Sequence, residues 1–94
     1  MAKLKFILIS VTGYSADHNS LLTNLLDNGY ELFCAVGKDC THWEEVMDDL
    51  AVGDGTNSRY ITTTSHPEET ISDVVEFAKM FSTSKESDVK IVHI

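Results

Sequence analysis

Positive charge is what this chain has least of. Seven lysines and arginines stand against fifteen aspartates and glutamates, for a formal net charge of −8. Such a field repels nucleic acid and anionic membrane, and we expect direct binding to neither. Cysteine is nearly as scarce. Two residues cannot make a disulfide framework, and Cys34 falls inside an apolar run, so reduced thiols and a cytoplasmic protein are expected. No apolar run approaches the roughly 18 residues of a membrane span, and residues 6–11 are too strand-like for a signal peptide. There is no low-complexity segment and no internal repeat. With 43% hydrophobic residues the composition is that of an ordered protein. The 94 residues (1–94) make one domain, which buries roughly 60–65% of its unfolded surface.

What is present reads as alternating strands and helices. Residues 3–11 are almost continuously apolar, which fits a strand covered on both faces, as in a parallel sheet. A polar loop, 12–19, leads to a helix over 20–28, where Asp17, Asn19 or Ser20 is placed to cap it. Leu21, Leu22, Leu25 and Leu26 share one face of that helix, and Gly29 is set to stop it. Strand two, 31–36, ends at Gly37. Thr41 and Glu44 match a capping box for a second helix. On that helix Trp43, Val46, Met47 and Leu50 fall on one side, with Glu44, Glu45, Asp48 and Asp49 opposite. It should stop near Gly53, Asp54 and Gly55. Residues 58–64 suit a third strand by propensity. A third helix is expected to begin within 65–69, with Pro67 in its first turn. Its inner face would hold Ile71, Val74, Val75, Ala78 and Phe81, with Phe77 at the edge and Met80 outward beside Asp73 and Glu76. A polar linker, 82–88, precedes a last strand, 89–94.

The order β-α-β-α-β-α-β implies a small three-layer α/β domain with a four-stranded, mostly parallel sheet of the Rossmann or flavodoxin-like kind. The expected strand order is 2-1-3-4, which leaves the second and fourth strands as edges. Either edge could pair across a homodimer. Ligands of such sheets bind beyond the strand C-termini, here near the switch between strands one and three. Loops 12–19, 37–41 and 64–67 meet at that edge. They bring Thr12, Tyr14, Ser15, Asp17, His18, Asp39, Cys40, His42, Thr64, Ser65 and His66 together.

Four chemistries can be weighed there. Asp39, Cys40, His42 and His66 have the atom types for zinc, but neither CxxC nor HExxH spacing is present, so no metal and no cofactor is expected. Cys40 at a helix N-terminus with a histidine nearby is the pattern of an activated thiol, but Asp39 and Glu44 place negative charge beside it. Ser10, Val11, Thr12, Gly13, Tyr14 and Ser15 resemble the S-x-T-G-x-T phosphate loop of flavodoxins, without the fifth strand or the aromatic loops that hold flavin. The fourth is the acidic helix itself. Between residues 39 and 76 lie ten acids and one base, Arg59, so this segment carries −9 and the remainder +1. Like charges at i,i+4 cost a helix roughly 0.2–0.5 kcal/mol per pair, and a helix that keeps two such pairs can recover that against a basic partner.

Phe33, Cys34, Ala35, Val36, Gly37, Lys38, Asp39 and Cys40, then Trp43 and Glu44, then Thr62, Thr63, Thr64 and His66, carry a resemblance over most of the chain. They resemble a family of small uncharacterised bacterial proteins with an FCAWG-x-DC turn and a TTWH turn. Val36 and Ser65 stand where that family has tryptophan. The resemblance implies an α/β fold and a bacterial or phage origin, and it brings no activity with it.

The reading that results is a small acidic protein-binding domain, more a binder than an enzyme. Its concrete form is an immunity protein or antitoxin that occludes a basic, nuclease-type toxin. The partner-binding residues would be Glu44, Glu45, Asp48, Asp49 and Asp54, with Asp73, Glu76 and Met80. The alternative is a small enzyme, cofactor or metal binder built on Asp39, Cys40, His42, His66 and the loop from Thr12 to Ser15.

Overall fold

The structure is a computed structural model of the chain, and it describes residues 3–53, 61–81, 83 and 88–94. The elements run β1 (Lys3–Ser10), α1 (Asn19–Asp27), β2 (Leu32–Gly37), α2 (Cys40–Val52), β3 (Thr62–His66), α3 (Ile71–Met80) and β4 (Asp88–His93), with a 3-10 turn at Ala16–His18 before α1. All four strands are parallel, as the alternation of strands and helices implies.

The strand order is 3-2-1-4 rather than the expected 2-1-3-4. Burial gives the reason. Leu32, Phe33, Cys34, Ala35 and Val36 are all buried, as are residues 5–10 of β1. Strands apolar on both faces need neighbours on both sides and helices above and below, so β1 and β2 take the two central positions. The polar β3 and the half-apolar β4 are left as edges, and β2 is not one. The crossovers through α1 and α2 advance the sheet in one direction. The crossover through α3 reverses it, carrying the chain back past β1 to β4. The switch therefore lies between β1 and β4, not between strands one and three.

That reversal places the helices. Phe6, Leu8, Phe33 and Ala35 point to the α1–α2 face, where they pack with Leu22, Leu25, Leu26, Trp43 and Met47. Ile7, Ile9, Leu32, Cys34 and Val36 point to the α3 face, where they meet Val74 and Ala78. Lys5 shares that second face. Only 5% exposed, it sends its ammonium to the Lys79 carbonyl at the end of α3 (3.2 Å), a favourable place for a cation.

Several local expectations shift. α1 begins at Asn19 after the 3-10 turn, and none of the three candidate residues caps it with a side chain. It ends at Asp27 with Asn28 as its C-cap, and Gly29 at φ +79° is the stop. α2 begins one residue before Thr41, from an N-cap at Asp39, and the capping box with Glu44 does not form. α2 ends at Gly53 as expected. β3 reaches further than residue 64 and takes in Ser65 and His66, while residues 58–60 and Asp54 lie outside the described residues. α3 starts at Ile71, not within 65–69. Its N-cap is Thr70, whose hydroxyl accepts the Asp73 N–H at 3.2 Å. Ile71, in the first turn beyond the sheet, is 44% exposed and so leaves the inner face assigned to it. Met80 does point outward, at 80% exposure. β4 begins at Asp88, one residue early.

Candidate functional site

The loops after β1 and β2 form one interlocked unit. Ser10, the buried last residue of β1, holds it together. Its hydroxyl oxygen accepts the Gly13 N–H (3.1 Å) and the indole N–H of Trp43 (3.0 Å), and its carbonyl accepts the Lys38 N–H (2.9 Å). Asp39 adopts a left-handed backbone at φ +60°, which aspartate tolerates better than most residues. Its carbonyl starts α2 by accepting the Trp43 N–H, and its carboxylate turns away from the helix to accept the Tyr14 N–H at 3.1 Å. The two loops approach so closely that a Cβ on Gly37 would sit 2.4 Å from the Ser10 carbonyl oxygen.

An aromatic cluster lies above this joint. The Tyr14 ring stacks on His42 at 4.7 Å and meets Trp43 edge-on at 5.1 Å, while His18 stacks on Trp43 at 5.0 Å. The Tyr14 hydroxyl bonds to Asn19. The sequence places Tyr14, His18 and His42 at one edge, but the contacts of Tyr14 and His18 with Trp43 carry no local signal, since they depend on how α2 docks. Beside the cluster a groove of about 480 Å³ is lined by Gly37, Asp39, Cys40, Thr41, His42, Glu45 and Pro67.

The alternative loop-edge residues divide between the two faces of the sheet. Asp39, Cys40 and His42 line the groove, but Cys40 is only 4% exposed and packs into the core under α2. His66 is buried and turns to the α3 face against Phe77. There its ring is held at both nitrogens, by the Thr64 hydroxyl at 2.8 Å and the Glu69 carboxylate at 2.9 Å. Cys34 lies fully buried beneath Thr64, and burial pushes its thiol pKa up. Among the described residues no three of His, Cys, Asp and Glu converge in a way that could hold a metal ion.

The acids of α2 fall into two rows. α2 lies over β3 and β2. Glu44 and Asp48, one turn apart, face the outer strand, where Glu44 accepts the Ser65 hydroxyl at 2.8 Å and Asp48 accepts the Thr63 hydroxyl. These pairs join residues 21 and 15 positions apart, and the sequence offered no sign of them. Glu45 and Asp49 point to solvent, unpaired with any cation among the described residues. On α3, Asp73 and Glu76 are exposed near Met80 and the half-exposed Phe77.

Architecture and surface together define a three-layer α/β domain whose outermost strand is flanked by the carboxylates of the helix that covers it. The chain belongs to the family described as a domain of unknown function, DUF7684, whose model matches residues 2–94. No curated protein and no solved structure matches it significantly. No helix among the described residues is long and apolar enough to cross a membrane.

Proposed function

We propose that this domain is a non-enzymatic binder of a basic protein, acting as an immunity protein or antitoxin does when it covers the basic substrate groove of a nuclease-type toxin. One observation carries the reading. α2 presents Glu45 and Asp49 to solvent with Glu44 and Asp48 beside them over β3, and the helix contains no lysine or arginine to neutralise them. An uncompensated field of one sign speeds association with a partner of the opposite sign and sets its orientation. On the opposite face of the sheet, Asp73 and Glu76 of α3 stand exposed near Met80, an acidic rim around an apolar contact and the ordinary layout of an interface. The loop edge favours the enzyme alternative less. Its one thiol is packed into the core, and its buried histidine is committed to Thr64 and Glu69.

The test begins with the tagged protein in host extract at low salt, eluted with a salt gradient and identified by mass spectrometry. The captured basic protein is then titrated against the Glu45→Lys/Asp49→Lys variant. We expect at least a roughly tenfold loss of affinity at low salt, shrinking as salt rises. Unchanged affinity at low salt would remove the reading.

A further inference from the structure

The outer side of β3 is an open sheet edge, and no described strand pairs with it. The Thr62 N–H bonds inward to the Glu31 carbonyl at 2.9 Å. Backbone groups alternate sides along a strand, so Thr64 and His66 also bond toward β2, while the N–H and C=O groups of Thr63 and Ser65 face outward. These two residues are the ones whose hydroxyls hold Asp48 and Glu44. The carboxylates are thereby fixed beside the open backbone groups, and each keeps an oxygen for a further donor. On the other face Glu69 is fixed by His66. The strand contains no lysine, arginine or proline, the residues that usually guard an edge against pairing. β4, the opposite edge, carries Lys90 at its centre.

We infer that β3 receives an extended basic segment of the partner as a fifth strand. The inference rests on the binding reading above and adds how the partner is held. Main-chain hydrogen bonds to Thr63 and Ser65 supply the pairing, and alternate side chains supply the selection. Residues opposite Thr63 and Ser65 lie on the α2 face within about 5 Å of them, Cβ to Cβ, so lysine or arginine at positions i and i+2 would meet Asp48 and Glu44. The side chain between them falls on the α3 face, toward Glu69. The edge is already ordered by its own hydroxyl–carboxylate bonds, so little further freedom is lost when a segment docks.

The probe is a short synthetic peptide in which lysine and valine alternate. Its control carries the same charges but has a methyl group on every second backbone nitrogen. Binding is followed by NMR on the labelled domain at low salt. We expect the Thr63 and Ser65 amides to gain exchange protection, and N-methylation to weaken binding roughly 10–100-fold through lost backbone bonds. Glu44→Gln/Asp48→Asn should flatten the salt dependence while leaving the fold intact. Equal binding of the methylated peptide, no binding of either peptide, or protection confined to β4 or the outer face of α2 would each overturn the inference. Failure here leaves the reading of α2 standing if charge reversal at Glu45 and Asp49 still releases the native partner. Protection at Thr63 and Ser65 with a native partner indifferent to that reversal would keep the edge and discard the α2 face.

Discussion

Ser10→Ala is the sharpest perturbation of the joint between the first two loops. The hydroxyl it removes accepts two buried donors, the Gly13 amide and the Trp43 indole, at 3.1 and 3.0 Å. Each donor left unpaired in the interior costs about 1–3 kcal/mol. The Gly13 loop can shift a little toward water, whereas Trp43 is fully buried, so about 2–4 kcal/mol is expected for the pair. For a domain of this size each kcal/mol lowers the melting temperature by about 4–8 °C, which gives a drop of roughly 10–30 °C. Urea unfolding followed by far-UV circular dichroism measures the cost, with the slope m unchanged and the midpoint lowered. Trp43→Phe in the Ser10→Ala background removes one orphaned donor, so the double variant should cost less than the sum of the two single changes. A Ser10→Ala variant within about 0.5 kcal/mol of the parent would refute the argument, because it would mean that neither donor depends on that oxygen.

Glycine substitutions separate backbone clash from backbone preference. Gly37→Ala places a methyl 2.4 Å from the Ser10 carbonyl and should cost roughly 2–4 kcal/mol. Gly29→Ala has a similar positive φ but no atom within 4 Å, and should cost only about 1 kcal/mol by the same denaturation assay. Alkaline pH offers an independent check on the buried thiol. Burial raises the Cys34 pKa from its ordinary 9.0 and the Tyr30 pKa from 10.0. The unfolded chain then releases these protons at lower pH than the folded one. The stability they contribute is complete below about pH 9 and is lost as pH rises through the folded values. Cys34→Ala should reduce the slope of stability against pH above 9, and a thiol reagent near neutral pH should reach Cys34 only on unfolding. A native-state reaction as fast as that of a free thiol would show that the strand is not closed over it.

Much of this protein follows from local sequence pattern. The apolar runs of β1 and β2, the leucines of α1, the Trp43–Val46–Met47–Leu50 stripe and the stops at Gly29 and Gly53 are set by neighbours within a few residues, and the structure contains all of them. The uneven charge is equally a property of the chain. Strand order was only half legible. The contrast between the apolar β2 and the threonine-rich β3 already marked which one belongs at an edge, but order is settled when two whole faces are covered at once, with α3 crossing back over β1. The boundary between β3 and α3 depended on His66, whose ring is held in the strand by Thr64 and Glu69 in place of starting a helix. The site was least legible of all. Ser10 with Trp43, Thr63 with Asp48 and Ser65 with Glu44 are partners across loops and between layers. No periodicity reports them, because hydrogen bonds between distant residues exist only after the sheet and its helices have been placed.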